Sequence, residues 1–211
     1  MKVAVLGGTG KFGGGLAARL AEAGHEVVVG SRKAEKAQGA AEKYADKSDA
    51  EVDGASNADA AAGTDVAVLG VPPQHAAETA RSVLDGYEGV VVTPVVGMSR
   101  EEGDFVYTPP EEGSSAEEIR GALDDEVPLA GAFHNLAAGK LADLSVEIEA
   151  DVAVFGDDEA KETTSQLVED VGARPLDVGG FGVAEQVESL TPLLVNVGTK
   201  NGIKDAGVRF V

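Results

Sequence analysis

A glycine-rich turn placed directly behind an apolar N-terminal run constrains this chain more than any other feature. Lys2-Val3-Ala4-Val5-Leu6 is short and apolar, which predicts a buried parallel strand. It stops at Gly7-Gly8-Thr9-Gly10-Lys11-Phe12-Gly13, where Gly8, Gly10 and Gly13 have G-x-G-x-x-G spacing. The missing side chains let the backbone turn sharply, approach a pyrophosphate and pack the next helix against the sheet. That helix start presents free N–H groups to an anion. In a chain with 28 glycines the spacing alone arises by chance, so its force comes from lying between the first strand and the first helix.

The end of the second strand decides which dinucleotide fits. An NAD site calls for Asp or Glu there, to bind the 2′-hydroxyl of the adenosine ribose. The chain instead reads Gly30-Ser31-Arg32-Lys33, with Lys36 one turn on. A hydroxyl, a planar guanidinium fork and ammonium groups together suit a 2′-phosphate, which points to NADP.

The rest of the chain alternates strand and helix signals. Strands are expected at 25–29, 65–69, 90–93, 127–132, 152–155 and 174–178. Helices are expected up to Gly24, over 33–46, near 58–62, from Pro72-Pro73 to about Leu84, after His134, over 157–171 and from Glu185 to about Ile203. The last of these is expected to be kinked or started at Pro192. Asp53-Gly54 reads as a polar turn, and 97–115 as a long loop beside a site. Ser115 is the expected cap of the following helix, with Glu118 completing a Ser-x-x-Glu box. The pattern predicts an α/β fold: a doubly wound parallel sheet, a Rossmann NADP-binding domain over 1–148, and a smaller C-terminal helical part over 149–211 completing the site.

Composition narrows the chemistry. With no cysteine, disulfides, iron–sulfur clusters and a cysteine nucleophile are excluded, so redox chemistry needs a borrowed cofactor. The three histidines lack metal-ligand spacing, and neither a metal nor a covalent nucleophile is expected. A net charge of −20 argues against nucleic acid and anionic membranes as partners. Acids spread along the whole chain suit a salt-adapted surface. The apolar start is too short for a signal peptide or a membrane span, which suggests a cytoplasmic protein. His75 reads as a solvent-facing residue at a helix start, whereas His134, after a strand end, is the better site candidate.

The glycine turn, the Gly30-Ser31-Arg32 segment and Val187-Glu188-Ser189-Leu190-Thr191-Pro192-Leu193-Leu194 are together similar to the archaeal NADPH-dependent reductases of coenzyme F420, an 8-hydroxy-5-deazaflavin. The likeness covers nearly the full length, and the closing Glu-Ser-Leu-Thr-Pro stretch is its specific part. It implies NADP contacts from Thr9, Gly10, Lys11 and Phe12, from Ser31, Arg32 and Lys36, and from Pro73, Val96 and Ala138 around the nicotinamide half. It also implies that Asn135 and Leu136 approach the deazaflavin, with Ser189 and Thr191 nearby, and that Leu136 and His134 position the rings rather than react. The acidity agrees with a halophilic version.

The expected activity is reversible hydride transfer between NADP(H) and F420, carried mainly by proximity. Small-molecule coenzymes are the expected partners, and a homodimer burying the C-terminal helix the expected assembly. Two alternatives stay open at the level of sequence. One is an NADP-dependent reductase of a small imine or ketoacid, with Lys140 as a plausible acid; the other is an NADP-binding redox sensor without turnover.

Overall fold

A computed structural model describes residues 1–211. Its elements run β1 (Lys2–Leu6), α1 (Lys11–Glu22), β2 (Glu26–Ser31), α2 (Ala34–Ser48), β3 (Val52–Ser56), α3 (Asn57–Ala61), β4 (Val66–Leu69), α4 (Ala76–Val83) and β5 (Val90–Thr93). There follow β6 (Met98–Glu101), β7 (Asp104–Tyr107), α5 (Ser115–Arg120), β8 (Leu129–Gly131), α6 (Ala138–Ala142), β9 (Asp151–Gly156), α7 (Asp158–Asp170), β10 (Arg174–Gly179) and α8 (Ala184–Asn201).

Eight strands form one sheet in the order β10-β9-β8-β5-β4-β1-β2-β3. Neighbours pair in parallel except β8 with β9, so β9 and β10 run against the other six. Strands from both sides of residue 148 therefore share this sheet. Alternate residues of each strand face opposite sides, as the pleat requires. Val3, Val5, Val66 and Val68 pack under α1, α6 and α7 against Leu16, Leu20, Leu141 and Leu167. Ala4, Leu6, Ala67 and Leu69 face α3, α4 and α5, against Ala60, Ala80, Leu84 and Ile119. The sheet is thus wound on both faces. No helix is long and apolar enough to cross a membrane.

Four local expectations change. Asp53-Gly54 lies in edge strand β3, not in a turn, and a Cβ on Gly54 would strike the backbone of Ala37 and Gln38 in α2. The 97–115 stretch is not a plain loop, because β6 and β7 pair as an antiparallel hairpin with Met98 opposite Tyr107 and Glu101 opposite Asp104. Its two-residue tip, Glu102 and Gly103, has φ of 48° and 97°, the left-handed pair that matches the strand twist. Helix α5 is capped by Ser114 rather than Ser115: Ser114 Oγ accepts from Glu117 N–H at 3.1 Å. Finally, α8 does not start at Pro192 but runs through it from Ala184.

Candidate functional site

The parallel strands end at a common edge, and the glycine turn sits there. Gly8 N–H donates to the Val5 and Gly30 carbonyls, both at 3.1 Å, so the turn is bonded to two strands at once. A Cβ on Gly8 would lie 2.7 Å from Val5 O, and one on Gly13 2.8 Å from Gly8 Cα. A Cβ on Gly10 would meet nothing within 4 Å. The three glycines therefore divide as the spacing implies: Gly8 for the turn, Gly13 for helix contact, and Gly10 for open space where a ligand can approach.

Helix α1 begins with Gly10 as its cap, has no side-chain cap and has no acid in its first turn. Its first N–H groups and the positive end of its dipole are left for an external anion. Two residues that the sequence did not single out brace the turn. Asn57 Oδ1 accepts from Gly7 N–H at 3.2 Å, and Tyr44 donates to the Gly8 carbonyl at 3.2 Å. A polar residue behind β3 and a tyrosine in α2 give no sequence signal for this.

Ser31 closes β2 and is buried, beside exposed Arg32, Lys33 and Lys36 at the start of α2. None of these three cations has a carboxylate within ion-pair distance, although acids outnumber bases 37 to 17 in the chain. Pro73 opens a short 3-10 turn behind β4, and exposed Gln74 follows it.

A cleft of about 680 Å³ continues from the turn, reaching from Phe12 across Pro94 and Met98 to the Phe133–Ala138 segment, with Thr191, Leu194, Val195 and Gly198 of α8 opposite. It holds His134, Asn135, Leu136, Ala138 and Thr191 of the expected site. Val96, half-buried behind β5, and Ser189 are not among its lining residues. Ser189 donates instead to the Gln186 carbonyl of its own helix at 2.9 Å. Lys140 lies on α6, outside that lining, and so offers no acid to the cleft.

The 133–138 segment is held firmly. Thr191 donates to the His134 carbonyl at 2.6 Å, and Asn135 Nδ2 to the Asp151 carbonyl at 2.6 Å. Phe133 has φ of 68°, which turns the chain sharply behind β8. Arg19, buried in α1, donates to the carbonyls of Lys140, Leu141, Asp143 and Val146 at 2.7–3.1 Å and ties α6 and its loop to α1.

The lining is mainly apolar, with Lys204 and Asp205, just behind α8, as its lysine and its one carboxylate. His134 stacks on Phe155 with centroids 5.6 Å apart, and neither ring nitrogen has a partner. Burial pushes its pKa down to about 3, so it is a neutral imidazole and a poor proton donor at neutral pH. Asn135 Oδ1 is likewise buried and unpartnered. Leu136 is 7% exposed and belongs to the larger core, so most of its side chain is packing and only an edge faces the cleft. No group of three or more His, Asp or Glu could hold a metal ion.

Where α8 meets β7 and the start of α5 lies a polar node that sequence reasoning met only as part of a motif. Glu188 is fully buried and accepts from Ser115 N–H at 3.0 Å, Ala116 N–H at 2.9 Å and the Tyr107 hydroxyl at 2.9 Å. Burial raises its pKa, and these hydrogen bonds oppose the rise.

Comparison with known proteins agrees with this geometry. Residues 2–97 match the family model described as NADP oxidoreductase coenzyme F420-dependent. Over its whole length the chain is 41% identical to a protein from Methanothermobacter marburgensis named F420-dependent NADP reductase, covering 98% of it. It is 34% identical to a protein of the same name from Methanocaldococcus jannaschii, again covering 98% of that relative. A crystal structure of a putative F420-dependent NADP-reductase from Arthrobacter sp. FB24 superposes with a TM-score of 0.83 at 24% identity, covering 100% of this chain and 99% of that one. An imine reductase from Pseudomonas sp. shares the fold at a TM-score of 0.61 and 16% identity, but this chain covers 62% of it.

Proposed function

Because the chain belongs to the family of F420-dependent NADP reductases, we propose that its glycine turn and β2 basic cluster hold NADP(H), and that the adjoining cleft holds the deazaflavin. The protein is an oxidoreductase that transfers hydride between NADP(H) and F420. The observation that carries the site assignment is continuity: Phe12, on the first turn of α1, belongs both to the phosphate-binding turn and to the apolar cleft.

The residues suit both coenzymes. Uncapped α1 N–H groups and the empty space at Gly10 accommodate a pyrophosphate, and Ser31, Arg32 and Lys36 supply donors for a 2′-phosphate where an NAD site would place a carboxylate. The cleft is walled by Phe12, Met98, Leu194 and Val195, which suits a planar ring, and its buried unpartnered Asn135 Oδ1 and His134 nitrogens can pair with polar ring edges.

Nicotinamide and deazaflavin themselves supply the two-electron chemistry. The protein's part is to bind, orient and exclude water. Thr191 and Asn135 fix the backbone of the 133–136 segment, Arg19 joins α6 to α1, and His134 contributes a neutral aromatic surface. The full-length relatives named F420-dependent NADP reductase favour ring-to-ring transfer over the imine or ketoacid reading.

The same proposal makes the enzyme a cytoplasmic homodimer with small-molecule rather than nucleic-acid partners. Its net charge repels polyphosphate, and exposed Leu193 (56%) and Ile203 (51%) offer apolar contact on and just behind α8. The test is Leu194→Trp, which intrudes a larger ring into the cleft. NADPH-driven bleaching of the visible deazaflavin band should be lost while NADPH still binds. Bleaching at the wild-type rate would place the deazaflavin elsewhere.

A further inference from the structure

Helix α8 carries two stripes that do different work. Thr191, Val195 and Gly198 line the cleft. The neighbouring stripe, spaced four residues apart at Glu188, Pro192, Asn196 and Lys200, faces the β6–β7 hairpin.

Three of its members grip that hairpin. Asn196 Oδ1 accepts from Phe105 N–H at 2.8 Å, and its Nδ2 donates to the Phe105 carbonyl at 2.7 Å. The amide thus acts as a one-residue third strand on the free edge of β7. Lys200 pairs with Asp104 at 2.5 Å, and buried Glu188 accepts from Tyr107. Tyr107 is the register partner of Met98, the hairpin residue that lines the cleft and is 44% exposed.

An isolated two-stranded hairpin is marginal in water, so this one depends on its attachment to α8. The attachment is polar and directional, and it joins the strand opposite Met98 to the helix that forms the other side of the cleft. We propose that the β6–β7 hairpin is the wall that sizes the deazaflavin cleft, and that Asn196 is a positioning residue for that coenzyme alone. The inference rests on the cleft being the deazaflavin site, as proposed above.

The experiment uses the full chain with Asn196→Ala, Tyr107→Phe and Leu194→Trp. F420 binding is followed by the coenzyme's own fluorescence, NADPH binding by nicotinamide fluorescence, and hairpin anchoring by amide hydrogen exchange over residues 98–107. Losing the two Asn196 bonds should speed exchange at Phe105 and weaken F420 binding about tenfold, the size expected for two neutral hydrogen bonds. NADPH affinity should stay at the wild-type value, and Tyr107→Phe should act in the same direction more weakly. Faster exchange with unchanged F420 affinity, or equal losses for both coenzymes, would overturn the proposal. Leu194→Trp separates the two readings: if it blocks F420 while Asn196→Ala does not, the hairpin inference alone fails, and if it binds F420 normally, the cleft assignment fails.

Discussion

Replacing Arg32 by Ala tests the cofactor assignment most sharply. Arg32 is exposed at the end of β2, beside Ser31, and forms no ion pair, so its removal leaves no buried partner stranded. The fold should be untouched, and any loss of binding should come from the 2′-phosphate. A hydrogen bond to a charged group contributes about 1.5–3 kcal/mol. Solvent screening at an exposed position, with Lys33 and Lys36 still present, puts the expectation at the lower end, about 1.5 kcal/mol, or roughly tenfold in Kd. NADPH and NADH affinities would be measured by calorimetry at fixed ionic strength, with thermal midpoints alongside. NADPH should weaken about tenfold, NADH should hold and the midpoint should not move. Equal losses for both nucleotides would refute the reasoning and make Arg32 a structural residue.

Four further outcomes follow from particular residues. Gly10→Ala should keep its thermal midpoint but lose NADPH affinity, whereas Gly13→Ala, whose Cβ would meet Gly8 Cα at 2.8 Å, should lower the midpoint; matching behaviour of the two would contradict the division of labour in the turn. His134, held near pKa 3 by burial against 6.5 in the unfolded chain, binds fewer protons folded than unfolded between those values, so it costs stability as pH falls through 6.5 toward 3; thermal midpoints of His134→Leu across pH 7 to 4 should fall less steeply than those of wild type. Leu136→Ala should slow single-turnover hydride transfer with NADPH affinity kept, and should also destabilise by about 2–4 kcal/mol in denaturant melts, because its side chain is mostly core. With a net charge of −20, the thermal midpoint should rise between 0.01 M and 1 M salt as the Debye length shrinks from about 30 Å to about 3 Å; a flat or falling midpoint would remove the halophilic reading.

The glycine turn and the basic end of β2 were legible in the sequence because each of these devices is local. Glycine spacing, strand end and helix start are consecutive in the chain, and Gly8 to Gly13 and Ser31 to Lys36 sit at the strand edge as expected. The apolar cleft is made by contacts across long separations. Thr191 meets His134, Asn135 meets Asp151, and Glu188 meets Tyr107, and nothing in a single chain's periodicity announces such pairs. The hairpin escaped notice because its strands are four residues long and Glu102-Gly103 replaces the usual Asn-Gly tip. Strand β3 escaped because Gly54 looks like a turn residue when it is there to let α2 approach. The reversed direction of β9 and β10 is a property of the connections, which the strand sequences do not encode.

The most direct test follows a label. NADPH deuterated at C4 on the transferred face is mixed with F420 and enzyme in a single turnover, and the reduced deazaflavin is analysed by mass spectrometry. Direct transfer between rings held in one water-excluding cleft predicts one deuterium at C5 of the product and none lost to solvent. Unlabelled reduced deazaflavin, with the deuterium in water, would contradict the account and require a protein group to carry the hydrogen.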